Sequence, residues 1–149
     1  MKIAIGCDHG GICLKDSIIE LLKQRNIEYV DFGTYDTSSV DYPDYALKVA
    51  EAVAGGECDK GILMCGTGIG IGISANKVKG IRAATVHDEF TAEMVKNHNN
   101  ANIICLGGRI STPEQAAKYV SIWLDTPFAG GRHQNRIDKI SAIENKYFK

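Results

Sequence analysis

The sequence predicts an α/β fold in which a doubly wound parallel sheet of five strands lies between two layers of helices. Short apolar segments alternate with longer amphipathic segments along all 149 residues, which is the pattern of repeated strand–helix–strand units. Some apolar segments end in glycine followed by polar residues, as buried strands do where they pass into a loop. Since parallel strands need crossover connections, the helices are expected on both faces of the sheet.

In chain order, the first predicted strand is "KIAIGC" at residues 2–7. The segment 11–26 follows as a helix, because its isoleucines and leucines recur at helical spacing. "IEYVDFG" at residues 27–33 is the second strand. The segment 43–56 is the next helix, with Pro43 near its start and two glycines at its end, an arrangement typical of helix termini.

The second half of the chain repeats this alternation. Strands are predicted for "KGILMC", "IRAATV" and "ANIICLG", at residues 60–65, 81–86 and 101–107. The glycine-rich stretch after residue 65 opens one helix, and 87–99 forms another with acidic residues in its first turn. The segment 112–125 starts with threonine and proline, which suit the N-cap and the first helical position. Residues 132–148 form an extra C-terminal helix.

Composition and charge limit the classes of protein to which the chain can belong. It is 44% hydrophobic and 23% charged, which is ordinary for a globular protein, and its length fits a single domain over 1–149. The net charge of -1 gives no reason to expect nucleic acid or an anionic membrane as a partner. No apolar run has the length of a membrane span, and no signal-peptide core is apparent. The odd count of five cysteines without a CxxC pair indicates reduced thiols in a cytoplasmic protein.

Polar residues follow each predicted strand where it passes into the next loop. In a parallel sheet these loops meet at the carboxyl edge, where ligands bind. The polar residues expected there are Asp8, His9, Asp41, Tyr42, Cys65, His87, Asp88 and Arg109.

Cys65 is followed by four glycines at alternate positions, in the stretch "CGTGIGIG". At the end of a strand and beside a helix N-terminus, its thiol would meet backbone N–H groups and the helix dipole, which favour a thiolate. Glycine lets backbone N–H groups approach an anion closely, as a phosphate or as a developing oxyanion. The alternative is a small buried core cysteine beside a tight turn. That interpretation is favoured for Cys7, Cys13, Cys58 and Cys105.

Two other patterns point to nucleotides or phosphate. "GIGISA" at residues 70–75 matches the loose dinucleotide pattern GxGxxA, but it follows the third strand and lies several residues past the strand's end. No P-loop pattern occurs. Arg132 and Arg136 lie four residues apart, so a helix would place both on one face, where two guanidiniums suit a phosphate. The alternative is a solvated face on which Asp138 pairs with an arginine.

The four histidines show no metal-binding pattern. They are neither spaced as HxxxH nor clustered with cysteines, so no zinc site is expected. His98 lies at the end of a predicted helix, where the dipole favours its charged form and simple capping is the alternative role.

Five motifs occur in a fixed order along the chain: "GCDHGG", "DYPDYA", "CGTGIGIGISANK", "HNNANIICLGGR" and "GRHQNRI". Together they resemble the type B family of ribose-5-phosphate isomerases, a group that includes galactose-6-phosphate and allose-6-phosphate isomerases. The similarity covers nearly the entire chain. It implies a Rossmann-like sheet and interconversion of ribose 5-phosphate and ribulose 5-phosphate through an enediolate, in the pentose phosphate pathway.

The resemblance also implies roles for individual residues. The family's proton-abstracting cysteine falls on Cys65 and its ring-opening histidine on His98, and Thr67 is a candidate proton relay. Some family members use an acidic base near the glycine loop. This loop contains no acid, so the chain resembles the cysteine-using branch. The family's substrate contacts fall on Asp8, His9, Tyr42, Gly66, Thr67, Gly68, Ile69, Gly70, Asn99, Arg109, Arg132 and Arg136.

For cofactors and partners, the resemblance implies neither metal nor nicotinamide, a sugar phosphate as the ligand, and a homodimer or a dimer of dimers. It further suggests that His98, Asn99 and Arg109 reach the site whose Cys65 belongs to the partner chain. Three alternatives stay open. One is an isomerase of a six-carbon aldose 6-phosphate such as allose or galactose. The others are a non-catalytic sugar-phosphate binding protein and a nucleotide-binding oxidoreductase.

Overall fold

A computed structural model describes residues 1–148, and its strands and helices alternate as predicted. The strands are β1 (Lys2–Cys7), β2 (Glu28–Asp31), β3 (Lys60–Cys65), β4 (Ala83–Thr85) and β5 (Ile103–Gly107). A 3-10 turn at Ile12–Leu14 precedes the first α-helix. The α-helices are α1 (Lys15–Gln24), α2 (Tyr42–Ala54), α3 (Ile69–Ala75), α4 (Glu89–Asn97), α5 (Pro113–Asp125) and α6 (Arg132–Tyr147).

Some elements are shorter than predicted: α1 covers 15–24 of the predicted 11–26, β2 covers 28–31 of 27–33, and β4 has three residues in place of the six predicted at 81–86. Side chains replace the backbone ladder at the start of β4. The Arg82 N–H donates to Asn102 Oδ1 at 2.8 Å, and the Ala83 N–H donates to Asn76 Oδ1 at 2.8 Å. Asn76 also donates to the Ala83 carbonyl at 2.9 Å. An asparagine thus covers the exposed side of this edge strand, which limits edge-to-edge pairing.

All strand pairs are parallel, and the strand order is β2-β1-β3-β5-β4. The chain moves outward from β1 to β2 and then returns to β3 on the other side of β1. The carboxyl ends of β1 and β3 therefore form the switch point at which open α/β sheets bind ligands.

Two apolar clusters cover the two faces of the sheet. One cluster combines the sheet with buried residues of α1, α4 and α5, including Trp123, whose Nε1 donates to the Ala101 carbonyl at 3.0 Å. The other combines it with α2 and α3, including Val49 and Ile71. These clusters confirm the predicted three-layer, doubly wound architecture.

Helix α6 stands apart from both clusters. Ile137 is its one buried residue, while Ile140 and Ile143 are 46% and 62% exposed. The Gly80 N–H donates to Glu144 and links α6 to the loop before β4. Across residues 1–148, no helix combines the length and the apolar character that crossing a membrane requires.

Candidate functional site

A cavity of about 420 Å³ opens at the carboxyl ends of β1 and β3, the switch point of the sheet. All of its lining residues except Gly10 belong to the predicted site. Gly68, also predicted, contributes a backbone N–H to the same loop. The lining residues are Asp8, His9, Gly10, Tyr42, Cys65, Gly66, Thr67, Ile69, Gly70 and Arg109.

Cys65 is the last residue of β3 and is 4% exposed, yet it lines this cavity. Its Sγ accepts the Gly68 N–H at 3.1 Å, the kind of contact that stabilises a thiolate. Gly68 reaches this position with a φ of 80°, a conformation that glycine adopts readily. The Gly68 carbonyl in turn accepts the Thr85 hydroxyl at 3.0 Å, so the loop around the sulfur is fixed from both sides.

Two glycines make room for larger side chains at the cavity wall. A Cβ on Gly70 would lie 2.7 Å from Tyr42 Cζ, and a Cβ on Gly66 would lie 2.8 Å from Arg109 Nη1. The Tyr42 ring and the Arg109 guanidinium therefore occupy space that a side chain would fill. Next to Gly66, the Thr67 side chain accepts the Ile69 N–H at 3.2 Å through Oγ1.

Arg109 lies in the cavity of its own chain. Besides its contact with Gly66, its backbone N–H donates to the Gly66 carbonyl at 3.0 Å, which ties the β5–α5 loop to the loop after β3. This placement corrects the expectation that Arg109 reaches the Cys65 of a partner chain. The sequence pattern identified the correct edge of the sheet, but it could not distinguish a contact within the chain from one between chains.

Asp8 and His9 line the cavity from the loop after β1. Asp8 is 6% exposed, and its Oδ1 accepts the N–H groups of Gly10 and Gly11 at 2.8 and 3.1 Å. Those bonds fix the turn and leave Oδ2 without a hydrogen bond among the described residues. His9 Nδ1 accepts the Val40 N–H at 3.2 Å, so the β2–α2 loop sets the orientation of the imidazole.

The remaining predicted residues do not line this cavity and form a second group near α6. His98 ends α4, as predicted, and its ring stacks on His133 with centroids 4.2 Å apart. Partial desolvation and the nearby charges of His98, Arg132 and Arg136 lower the pKa of His133. Asn99 lines a separate cavity of about 390 Å³ between α6 and β4. One chain therefore does not bring Cys65 and His98 into a single cavity.

Arg132 and Arg136 are exposed near the start of α6 and make no ion pair with a carboxylate of residues 1–148. Asp138 accepts Gln134 Nε2 at 2.8 Å and does not pair with either arginine. This removes the specific alternative in which Asp138 neutralises the arginine pair.

The other cysteines fit the structural roles predicted for them, with one difference. Burial raises the pKa of Cys7 to about 11, and burial together with the charge of Cys65 raises the pKa of Cys105. Burial also raises the pKa of Cys58. These thiols stay protonated near neutral pH. Cys13 differs because it is exposed, with Sγ 3.6 Å from the Gly108 carbonyl.

Several weaker sequence patterns have local structural explanations. The stretch 70–75, which resembles a dinucleotide motif, lies inside α3, so it does not form the loop that such a motif requires. Asp88 accepts the Thr91 N–H at 2.7 Å and caps α4, while His87 is exposed and does not line the cavity. The described residues contain no cluster of three or more His, Cys, Asp or Glu side chains that could bind a metal.

Two contributors to the site region were missed from the sequence. Gly10 lines the cavity with its backbone, and its position within "CDHGG" was the available signal. His133 stacks on His98. Its position in the sequence directly after Arg132, a predicted site residue, was the available signal. Lys15, discussed below, carries no signal in the sequence because it lies on an ordinary amphipathic helix.

The fold and the cavity together define an α/β protein with a small-molecule site built around a buried thiol and a glycine loop. The chain belongs to the ribose/galactose isomerase family, which matches residues 3–140. It is 48% identical over 145 residues to the ribose-5-phosphate isomerase B of Escherichia coli K12, with 97% of each chain covered.

Solved structures support the same relationship. The ribose-5-phosphate isomerase B of Clostridium thermocellum is 55% identical, with a TM-score of 0.97 and 99% of each chain covered. The ribose-5-phosphate isomerase B of Mycoplasma genitalium, solved with bound ribulose-5-phosphate, is 46% identical, with a TM-score of 0.92 and 97% of each chain covered.

Proposed function

We propose that this chain is an aldose–ketose isomerase that interconverts D-ribose 5-phosphate and D-ribulose 5-phosphate in the pentose phosphate pathway. The observation that carries the proposal is the buried Cys65 sulfur, which lines the cavity and accepts the Gly68 N–H at 3.1 Å. A cysteine sulfur that accepts a backbone N–H beside a glycine loop is suited to removing a proton from carbon beside a carbonyl. Family membership and the relatives named above support the same reaction.

The first step opens the sugar ring, and we assign it to His98 with Thr67 as a proton relay. Opening moves the proton of the anomeric hydroxyl to the ring oxygen and leaves an aldehyde at C1. Thr67 suits a relay because it lines the cavity and its Oγ1 accepts the Ile69 N–H. A hydroxyl can accept one hydrogen bond while it donates another.

The second step moves a proton between two carbons, and Cys65 is its base. The thiolate takes the C2 proton, and the electron pair of the C2–H bond moves through C1 to O1, which gives the enediolate. After a proton passes from O2 to O1, the Cys65 thiol returns its proton to C1 and the ketose forms. Backbone N–H groups of the loop 66–70 would stabilise the negative oxygen.

The phosphate would be bound by arginine, and binding at this end orients the reacting carbons. Arg132 and Arg136 are exposed and unpaired with carboxylates across residues 1–148. Asp8, His9, Tyr42, Asn99 and Arg109 would contact the sugar or the phosphate. This mechanism requires neither a metal nor a nicotinamide cofactor.

A complete site would need two subunits, and we propose a homodimer. Cys65 lines one cavity, whereas His98, Asn99, Arg132 and Arg136 lie outside it. Exposed isoleucines occur beside both groups: Ile69 and Ile73 on α3, and Ile140 and Ile143 on α6. Burying such faces against a second copy would stabilise the dimer and bring the groups of two chains together. We also place the enzyme in the cytoplasm, since all five cysteines are free thiols.

A turnover assay across aldose phosphates tests the reaction and the chain length of the substrate. We expect the highest kcat/KM for ribose 5-phosphate, with lower values for allose 6-phosphate and galactose 6-phosphate. A higher value for a six-carbon sugar would support the alternative substrate. Binding of ribose 5-phosphate without turnover would support a non-catalytic sugar-phosphate binding protein.

A further inference from the structure

An ion pair between the buried Lys15 and the partly exposed Asp31 holds the start of the irregular segment 32–41, which we call the 32–41 loop. Lys15 of α1 is 5% exposed, and its Nζ donates to the two carboxylate oxygens of Asp31 at 2.9 and 3.1 Å. The same Nζ donates to the Thr34 carbonyl and lies 4.7 Å from the centre of the Tyr35 ring. A buried ammonium is stable only when partners compensate its lost hydration, and here the partners belong to this loop and to the strand before it.

Asp31 connects this ion pair to the backbone of the loop. Its Oδ1 also accepts the Gly33 N–H at 2.9 Å, and its backbone carbonyl accepts the Tyr35 hydroxyl at 2.8 Å. Residues 33–35 are therefore held by Lys15 and Asp31 together with Cys7 of β1, whose N–H donates to the Gly33 carbonyl at 2.6 Å and whose carbonyl accepts the Thr34 N–H at 2.7 Å. Removing the ammonium would leave the Asp31 carboxylate without its cation and would leave the Thr34 carbonyl with only the Cys7 thiol, at 3.7 Å, as its donor.

The other end of the 32–41 loop contacts the cavity. The Val40 N–H donates to His9 Nδ1 at 3.2 Å. A backbone N–H can only donate, so this bond requires an unprotonated Nδ1, and the tautomer that fits it carries the ring proton on Nε2. His9 lines the cavity. In this tautomer Nε2–H can donate a hydrogen bond to a ligand oxygen, whereas in the other tautomer Nε2 could only accept one.

We propose that Lys15 is a positioning residue of the isomerase site: through the 32–41 loop and the Val40 N–H, it holds His9 as the Nε2–H tautomer. Lys15 does not line the cavity, so its effect on the reaction passes through His9. The effect on turnover rests on the proposed function, whereas the tautomer of His9 can be measured without it.

The first test uses two substitutions at Val40. Val40→Ala keeps the backbone N–H, whereas Val40→Pro removes it. We expect ¹⁵N NMR of the histidines to show a protonated Nε2 and an acceptor Nδ1 for His9 in the wild type and in Val40→Ala. In Val40→Pro, the His9 signals should change to a mixture of tautomers. kcat/KM should fall about 3- to 10-fold, mainly through KM, as expected for one hydrogen bond. Unchanged His9 signals in Val40→Pro would overturn the proposal.

The second test asks whether Lys15 acts through His9. Lys15→Met should lower kcat/KM about tenfold or more and change the His9 signals, while Lys15→Arg should restore most of both. In a His9→Gln background, Lys15→Met should cause little further loss, because coupled residues are non-additive. Independent, additive losses would contradict the proposal. Lys118→Met is the matched control, since Lys118 forms an exposed ion pair with Glu89 at 3.0 Å.

Two outcomes separate this proposal from the proposed function. If the wild type does not isomerise ribose 5-phosphate, the proposed function fails, and the NMR comparison of Val40→Pro with Val40→Ala still decides the tautomer. If Lys15→Met does not fold, Lys15→Arg and the Val40 pair decide the positioning role, because Lys15→Arg keeps a cation at this position and the Val40 variants keep Lys15 itself. Normal turnover together with unchanged His9 signals in Val40→Pro refutes the positioning role alone.

Discussion

Cys65 illustrates how a single side chain can combine burial with access to a cavity. The residue is 4% exposed, yet its Sγ accepts a backbone N–H and lines a cavity. Cys105 lies in the same strand layer and is fully buried, and its pKa is raised by burial and by the charge of Cys65. The two thiols therefore differ in access to the cavity, and only Cys65 is placed to meet a substrate.

Replacing Cys65, the proposed base, should abolish turnover without unfolding the chain. We expect Cys65→Ala to lower kcat by about 10²- to 10⁴-fold, the usual contribution of a general base, or by more if no other group can take the carbon-bound proton. Cys13→Ala is the control, because Cys13 is exposed and does not line the cavity. Retention of more than about a tenth of the wild-type kcat would exclude Cys65 as the base.

Lys60 offers a prediction on stability that is independent of the active site. Burial and the nearby ammonium of Lys96 lower the pKa of Lys60 to about 8, from an ordinary value of 10.5. Below pH 8 the folded state carries an unfavourable charge, so Lys60→Met should stabilise the protein at pH 7. Lys60 is only half-buried, so solvent screens part of the effect. The free energy of unfolding should therefore rise by about 1 kcal/mol, which is well below the free energy that corresponds to the whole pKa shift.

The pH dependence of this effect has a definite sign. Between pH 8 and 10.5 the unfolded state binds more protons at Lys60 than the folded state, so wild-type stability rises with pH and the advantage of Lys60→Met declines. Urea unfolding at several pH values measures this. Lys48→Met is the control, because Lys48 is exposed and, like Lys60 over Trp123, lies about 5 Å from an aromatic ring. An advantage that grows above pH 8 would contradict the assignment.

Among the elements, helix α3 is built against ordinary helix propensity. It contains two glycines within seven residues, and glycine weakens a helix by roughly 1 kcal/mol relative to alanine. At Gly70 the reason is contact with Tyr42, since a Cβ would lie 2.7 Å from the ring. The glycine at position 70 thus lowers the helix propensity of α3 and leaves space for the Tyr42 ring at the cavity wall.

We therefore expect Gly70→Ala to separate stability from activity. Alanine should support the helix, so the unfolding midpoint in urea should stay the same or rise. The Tyr42 ring should be displaced by the new methyl group, and KM should rise about tenfold if one substrate contact is lost. An unchanged KM would show that the Tyr42 ring at this position does not contribute to substrate binding.

Helix α6 permits a similar separation. Arg136→Ala should raise KM for ribose 5-phosphate by about one to two decades, because a hydrogen bond between charged groups contributes roughly 1.5–3 kcal/mol. Stability should change little, since Arg136 is exposed. Lys139→Ala on the same helix is the matched control. Equal effects of the two substitutions on KM would indicate general electrostatic attraction in place of a specific phosphate contact.

At this scale the sequence was most informative where local chemistry decides structure. The first strand was predicted at 2–7 and found there, and Thr112 caps α5 with Gln115 completing the capping box. The short β4 was overestimated because asparagine side chains from distant positions replace part of its ladder. Two features depend on tertiary contacts that no local sequence pattern encodes. One is the position of Arg109 in the cavity of its own chain, and the other is the contact of Lys15 with the 32–41 loop.

For the whole molecule, the decisive question is whether two subunits share one site. Cys65→Ala and His98→Ala, each inactive as a homodimer, should regain activity when dissociated, mixed and reassociated. About half of random dimers would be mixed, and one of their two sites would carry neither substitution. The mixture should therefore reach about a quarter of wild-type activity.

The structure supplies a matched control for this experiment. Arg109 and Cys65 line the same cavity of one chain, so mixing Cys65→Ala with Arg109→Ala should restore no activity. Both variants place their lesion in their own cavity, and every site stays damaged. No recovery in the His98 mixture, with subunit exchange confirmed by recovering tagged mixed dimers, would refute the shared site.

At the carboxyl edge of the sheet, the loops pack backbone against backbone. A Cβ on Gly11 would lie 2.3 Å from the Met64 carbonyl carbon, and a Cβ on Gly108 would lie 2.3 Å from the Gly10 carbonyl oxygen. Neither neighbour is a side chain that can turn aside. Every single-base missense change in a glycine codon introduces a residue with a Cβ. Any missense mutation at either codon is therefore expected to displace the main chain next to the cavity, even when the new residue is alanine.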